Sequence, residues 1–467
     1  MDTGAGSGAD VVARLRVALD GTVVRTDAAV LDASRTDKSG WVSAGTPLAV
    51  VEARSVEHVR AVLRTCSALG VGVVPRGAGT GLAGGANGTD GVVVLSVARM
   101  DRVLEIDTEN ELAVVEPGVL NAAFNERIAP LGLRFAPDPA SRAISSIGGN
   151  IATNAGGLLC VKYGVTRDAV LGLDVVLADG RLVSTGHRTV KGVTGYDLTA
   201  LFVGSEGTLG VIVGATIRLV PIPPGEPVTL GAVFPDVRTA AAAASDLMRV
   251  GARPSTLELL DADALAGIGD LLSPEVLSAT TGAAGAGGAF LLVQFDGPTA
   301  AADADAAAPR LQSGGGTVRV AATAADTDRL LTIRRSFHPA MEARGRVLIE
   351  DVAVPRSRLA DMFAAIERIA AEFEVAIPTV AHAGDGNLHP NFVFTGTEVP
   401  QRVWDAADAL FRTAIDLGGT LTGEHGVGVL KRRWLRDELG DDAYALQQGI
   451  RRVFDPTGIL NPGKVFD

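Results

Sequence analysis

Cysteine is almost missing from this sequence: Cys66 and Cys160 are the only two in 467 residues. Two thiols cannot build a disulfide framework or an internal iron–sulfur cluster. The opening MDTGAGSGAD is a polar tail without the basic and apolar regions of a signal peptide, and the expectation is a cytoplasmic protein with reduced thiols. Runs of positive charge are missing as well. The chain carries 42 basic against 54 acidic side chains, a net charge of -12, so a nucleic-acid partner is not expected. Long hydrophobic runs are also lacking. The longest uncharged stretch, Val276 to Phe295, contains Gly282, Gly285, Gly287 and Gly288 and reads as a loop entering the strand AFLLVQF, so no transmembrane segment is expected. No short-period repeat signals a solenoid.

What remains is a long, apolar-rich chain whose length calls for at least two domains. After an N-terminal tail and helical lead-in over 1–44, residues 45–222 alternate short apolar runs with glycine clusters. TPLAVVEA, VGVVP, GVVVLS, LAVVEPG, GLDVVLADG and GTLGVIVGATIRLVP are strand candidates, and EHVRAVLRTCSAL has the apolar spacing of a helix. PIPPGEP marks a linker. Over 223–417, strands such as PVTLGAVF, AFLLVQF and VLIEDVAVP alternate with alanine-rich helices, predicting an α+β domain in which helices cover an antiparallel sheet. Residues 418–467 form a glycine- and charge-dense closing segment. The fold class is therefore α+β.

Gly79, Gly81 and Gly84 in VVPRGAGTGLAGGANG fit a dinucleotide fingerprint by spacing, but AGGANGTDG and then the strand GVVVLS follow, where that fingerprint needs a helix. The alternatives are a plain glycine-rich connection or an anion-binding nest of backbone N–H groups, with Arg76 adding charge. PDPASRAISSIGGNIATNAGG at 137 to 157 and GYDLTALFVGSEGTLGVI at 195 to 212 repeat the theme of small and hydroxyl side chains. Small residues let backbone approach a flat ligand while Ser, Thr and Asn bond its polar edge, so three such clusters describe a long ligand lying across the domain.

Arg76-Gly77-Ala78-Gly79-Thr80-Gly81, the Pro137–Gly157 segment, Lys162-Tyr163-Gly164 and Gly204-Ser205-Glu206-Gly207-Thr208-Leu209-Gly210 resemble the FAD-binding domain of the vanillyl-alcohol oxidase type of flavoprotein. HAGDGNLHPN, GEHGVG and DPTGILNPGK resemble its branch of D-2-hydroxy-acid dehydrogenases: D-lactate and D-2-hydroxyglutarate dehydrogenases and the flavin subunit of glycolate oxidase. The resemblance implies a two-subdomain FAD-binding domain over 45–222, a substrate or cap domain over 223–417, and a closing segment that returns to the flavin. It assigns the FAD pyrophosphate to Pro75, Arg76, Gly77, Ala78, Gly79, Thr80 and Gly81. The isoalloxazine and ribityl chain fall to Pro137, Asp138, Pro139, Ser141, Ser145, Gly148, Gly149, Asn150, Thr153, Asn154, Gly156 and Gly157. Tyr163, Gly207, Ile212 and Asn461 complete the cofactor set. No histidine or cysteine lies between Arg76 and Gly88 and Cys160 falls outside the core of the second motif, so non-covalent FAD is expected.

Two of the chain's six histidines, His382 and His389, flank an Asp385-Gly386 pair. If VAHA and LHPNFVF are strands joined by a two-residue type I′ turn, residue 382 faces 389, with opposed Cβ atoms about 4.5–5.5 Å apart, close enough for both imidazoles to bind one cation. Asn387 and Asn391 then share the face of His389 and can orient ligands or substrate. The competing reading is a histidine pair stacked in a polar hairpin. Glu424 in GEHG would complete a His₂Glu set with open positions, for which zinc is the favoured divalent ion. The resemblance makes Glu424 the metal ligand, His425 the catalytic base, and Arg334 the anchor of the substrate carboxylate. His58 and His187 read as solvated and His338 stays unassigned.

The implied activity is FAD-dependent oxidation of a D-2-hydroxy acid to the 2-oxo acid. Relatives acting on 2-hydroxyglutarate carry a lysine shortly before the Asp-x-x-x-Pro strand. Here Ile349 and Glu350 stand in that region, which favours a small monocarboxylate, D-lactate or glycolate. Alternatives are a D-2-hydroxyglutarate dehydrogenase, a non-redox FAD-dependent synthase of the ether-lipid type, and a non-catalytic flavin subunit. The electron acceptor, whether oxygen, a quinone or a separate redox protein, is not legible, and a homodimer is one assembly the sequence allows.

Overall fold

The computed structural model describes residues 8–272 and 288–466. The polar opening up to residue 7 and most of the glycine-rich stretch before AFLLVQF lie outside the described residues. Two units are resolved: 8–156, 164–222 and 424–466 make the first, and 157–163 with 223–423 the second. The boundary between Ile222 and Pro223 falls inside PIPPGEP. Two divisions differ from those read in the sequence. Residues 157–163 belong with the second unit, because Lys162 and Tyr163 both bond the Asp296 carboxylate there. Residues 418–423 also stay with it, Thr420 pairing with Ala353.

The first unit holds two main sheets and a short two-stranded pairing of Leu133–Arg134 with Val220–Pro221. Val24–Arg25, Ala49–Glu52, Val93–Ser96 and Val73–Arg76 lie in that order, the last three parallel. The helix Val56–Leu69 covers this sheet and forms for local reasons. Ser55 caps it by accepting the His58 N–H, Gly70 ends it at φ 65°, and Val59, Val62, Leu63 and Cys66 at helical spacing bury one face. Burial pushes the Cys66 thiol up to about 12, so it is an inert core residue. The second sheet is antiparallel, in the order Val103–Asp107, Leu112–Val115, Val211–Arg218, Val170–Val176, Leu182–Gly186.

The second unit is built on one antiparallel sheet running Thr317–Val320, Val228–Phe234, Ala289–Phe295, Thr256–Leu260, Thr379–His382, Asn387–Phe394, Arg346–Ile349, with Val352–Ala353 also pairing with Asn387–Phe394. Ala289 to Val293 are each 0% exposed. Phe290 and Leu292 join a core cluster with the helices Ala262–Leu272, Ala324–Arg335 and Phe337–Arg344, while Leu291 and Val293 face the other way. A strand covered on both faces reads as a continuous apolar run, which is why AFLLVQF shows no alternation.

Asp261 follows the central strand and begins the helix Ala262–Leu272, accepting the Ala264 and Thr379 N–H groups at 2.8 Å each. Burial pushes its carboxyl from 3.8 up to about 8. The folded state therefore holds this proton more tightly than the unfolded chain: the associated stability is complete below 3.8 and is lost as pH rises through about 8. Asp261→Asn removes the titration. Urea unfolding across that window is expected to show a flatter pH profile for the variant, the wild-type slope reaching up to about 1.4 kcal/mol per pH unit. Parallel profiles would refute it.

Candidate active site

In the first unit the glycine loop leaves the strand Val73–Arg76 and reaches Val93–Ser96 without a helix, as its composition predicts. The carbonyls of Gly85, Ala86 and Asn87 are taken by side chains. Asn461 Nδ2 donates to Gly85 O at 3.0 Å, Arg76 Nη1 to Ala86 O at 2.9 Å, and Lys464 Nζ to Asn87 O at 3.0 Å. Arg76 Nη2 also donates to Thr36 O at 2.9 Å. The guanidinium thus ties the loop together, a different use from the anion contact expected of it. Asp37 accepts the Gly84 N–H at 2.9 Å. Among the described residues, by contrast, the N–H groups of residues 77 to 83 make no hydrogen bond. A row of unclaimed backbone donors held open by side chains fits a diphosphate.

The second cluster folds as a short helix, Ile147–Thr153, which its glycines concealed. Ser146 caps it through the Gly149 N–H, and Asn154 ends it at φ 51°. A Cβ on Gly148 would stand 2.4 Å from Pro117 Cβ, so this glycine is a packing requirement. Asn121 Nδ2 donates to Pro137 O at 2.9 Å and lies 3.4 Å from Asn150 Oδ1, joining both ends of the motif. Asn121 has no sequence signal beyond opening a helix, and the sequence reading passes over it. Ile212 is buried in the strand Val211–Arg218, and Gly207 at φ 72° packs on Pro75. Tyr163, assigned to the cofactor by resemblance, donates to Asp296 Oδ2 at 2.7 Å in the second unit.

DPTGILNPGK locks the first unit from its C-terminal end. Asp455 accepts the Ile459 and Leu460 N–H groups, and that turn lays Ile459 and Asn461 against Val73. Asn461 Nδ2 also donates to Glu206 O at 2.7 Å. Its Oδ1 is buried and accepts nothing among the described residues. Glu206, from GSEGTLG, accepts the Val427 and Gly428 N–H groups at 2.7 and 2.8 Å. Burial pushes its carboxyl up to about 7. The half-buried His425 thus sits in a loop fastened through its backbone two residues later.

In the second unit the strands Thr379–His382 and Asn387–Phe394 form the expected hairpin with a different turn. Residues 383–386 make a four-residue loop, with the Asp385 and Gly386 N–H groups both on His382 O at 3.0 Å. His382 therefore faces Asn387, and His389 faces Val380. The Asp-Gly turn loses because its neighbours are claimed: the Ala383 N–H bonds Leu257 O, and Gly386 O accepts from the Val354 N–H. The register differs by two residues from the predicted one, and a slip of two keeps every side chain on its face. The histidines still meet, as diagonal neighbours with ring centroids 5.0 Å apart and one ring nitrogen of each within 4.8 Å. Both are buried. Asn391 Nδ2 donates to His389 O at 2.8 Å, and its buried Oδ1 accepts nothing among the described residues.

Register also places Glu258 opposite His382, on the face covered by the helix Ala324–Arg335. That helix buries Leu330 and Ile333 and brings Arg334 to the same surface, whereas Arg335 points outward to Asp328. Glu258 Oε1 lies 2.6 Å from His382 Nδ1, and Arg334 Nε donates to Oε2 at 2.6 Å. Burial alone would raise this carboxyl, but the charges of His382 and Arg334 hold it below the usual range. The sequence reading missed Glu258, although a single carboxylate inside the apolar strand TLELL was a signal. Asp351 of DVAVP is equally buried: it accepts from Asn387 Nδ2 at 2.5 Å, Thr422 Oγ1 at 2.5 Å and the Gly423 N–H at 3.0 Å. Glu424 follows Gly423 by one peptide bond, and its carboxylate lies beside Gly156 in the first unit. Buried imidazoles backed by a carboxylate are a donor set suited to a divalent ion. Of the remaining histidines, His58 is half-buried in its helix, and His187 and His338 are exposed, the latter 3.2 Å from Glu342.

Comparison with known proteins gives the family. Residues 47–186 match the FAD binding domain model and residues 224–465 the C-terminal domain model of FAD linked oxidases. The glycolate oxidase subunit GlcD of Bacillus subtilis is 42% identical over 426 residues, covering 90% of this chain and 89% of that protein. A D-lactate dehydrogenase of Archaeoglobus fulgidus is 36% identical, covering 89% and 90%. Among solved structures, p-cresol methylhydroxylase with substrate bound has a TM-score of 0.79 at 18% identity over 99% of this chain and 98% of that one, a likeness of fold. No helix among the described residues is long and apolar enough to cross a membrane. The chain belongs to the FAD-linked oxidases and is an FAD-dependent oxidoreductase of the vanillyl-alcohol oxidase type.

Proposed function

We propose that the chain oxidises a small D-2-hydroxy acid, D-lactate or glycolate, to the 2-oxo acid. The observation that carries this reading is the buried pair His382 and His389 on the sheet face that Arg334 of the covering helix reaches. The named activities of the relatives, glycolate oxidase and D-lactate dehydrogenase, support it. FAD, when bound, supplies the hydride acceptor, and a divalent ion, when bound, supplies a Lewis acid that makes the substrate hydroxyl more acidic. The N–H groups of residues 77 to 83 are the donors for the diphosphate. His382 and His389 would hold the ion, with zinc first among candidates, and Glu424 would be the third ligand. The third assignment is supported by connectivity: Asp351 fastens Gly423 beside Asn387 of the hairpin, and Glu424 is the next residue.

Arg334 binds the substrate carboxylate through its two terminal amino groups, which make no hydrogen bond among the described residues; only Nε is used, on Glu258. Asn391 Oδ1 is a free buried acceptor for a substrate hydroxyl, and Asn387 braces the hairpin through Asp351. His425 takes the hydroxyl proton. Ile349 and the buried Glu350 stand where a lysine would hold a second carboxylate, which favours a monocarboxylate. Under anaerobic conditions the flavin should bleach on addition of D-lactate or glycolate and respond weakly to D-2-hydroxyglutarate. Faster bleaching by the dicarboxylate would overturn the substrate assignment, and no bleaching by any of the three would overturn the reaction.

A further inference from the structure

We propose that Glu258 is a positioning residue for this oxidation, holding the metal-facing imidazole of His382 and the carboxylate-facing guanidinium of Arg334 in one buried row. The inference deepens the preceding reading and rests on it. Glu258 is 0% exposed and spends one oxygen on each neighbour, 2.6 Å from His382 Nδ1 and 2.6 Å from Arg334 Nε. With Nδ1 engaged as the N–H donor, Nε2 carries the lone pair that a ligand needs, so the carboxylate selects the tautomer as well as the ring orientation. Bonding Arg334 through Nε fixes the plane of the guanidinium and leaves its far edge for an incoming carboxylate.

Two paired strands and a helix make the row rigid. The strand Thr256–Leu260 pairs Glu258 directly with His382, and the helix Ala324–Arg335 is packed on that face through Leu330 and Ile333. Neither neighbour can rotate away without leaving a buried charge unpaired. A single carboxylate inside an apolar central strand is costly to keep, and its two bonds account for it.

The test uses the full-length, FAD-loaded protein with Glu258→Gln and Glu258→Asp. Glutamine keeps the shape but accepts through one oxygen only. Zinc affinity is measured by chelator competition, FAD content by absorbance, and kcat and KM with whichever of D-lactate and glycolate reduces the flavin. Glu258→Gln is expected to bind zinc about 10- to 100-fold more weakly and to raise KM, with FAD content unchanged. Glu258→Asp, charged but one methylene short, is expected to fall between it and wild type. A glutamine variant that binds zinc as tightly as wild type with unchanged KM overturns the proposal. If that variant does not fold, the aspartate variant decides, and wild-type zinc affinity there overturns it too. A wild-type protein that binds no zinc ends the metal reading and this inference together, an outcome distinct from a variant that matches a zinc-binding wild type.

Discussion

Replacing His425 with Ala is expected to leave FAD bound and to slow flavin reduction by the 2-hydroxy acid about 10²- to 10⁴-fold, the usual contribution of a positioned general base. The hydroxyl proton must leave as the C2 hydride does, and without an acceptor the alkoxide has to form unassisted. The substitution is local for a structural reason: Glu206 holds this loop through the backbone N–H groups of Val427 and Gly428, so removing the imidazole leaves the loop fastened. Rapid mixing of the anaerobic variant with substrate measures the rate directly, and added imidazole should restore part of it. Reduction at near wild-type speed would remove His425 from the role of base.

Stripping the protein of divalent ions by prolonged chelation is expected to abolish substrate reduction of the flavin while FAD stays in place. A Lewis acid on the hydroxyl supplies several kcal/mol of charge stabilisation, so a loss of about 10²-fold or more is anticipated. Added zinc should restore activity. The double replacement His382→Ala and His389→Ala should reproduce the loss without recovery, because those rings are the donors in the hairpin. Flavin content should be unchanged, since the glycine loop and the helix Ile147–Thr153 belong to the other unit. Full activity after thorough metal removal would sink the metal assignment and leave Arg334 and His425 as the remaining active groups.

Much of this was legible in the residues themselves. Period and punctuation predicted the helix Val56–Leu69, the strands around the glycine loop, and the absence of a helix after Gly84. Each depends on contacts between near neighbours, or on what a glycine or a cap permits locally. The helix Ile147–Thr153 was hidden for the complementary reason: Gly148 is there to clear Pro117, a residue distant in sequence, and its poor helix propensity is overridden by that packing.

The hairpin shows the division most clearly. That His382 and His389 share a face follows from the two-residue period of a strand and survives a slip of two; which residue each one opposes does not. The loop is set by Ala383 pairing with Leu257 and Gly386 with Val354, bonds that no local spacing announces. The same holds for Arg76, whose charge looked available until the carbonyls of Thr36 and Ala86 claimed it. Glu258 and Asp351 complete the pattern, because a buried carboxylate acquires meaning only through the partners that surround it. Sequence alone determined the family, most of the element types, the faces and the candidate ligands, since these rest on covalent order and short-range geometry. Tertiary structure alone decided the register and the partners of each buried charge, since those come from strands and helices brought together across more than a hundred residues.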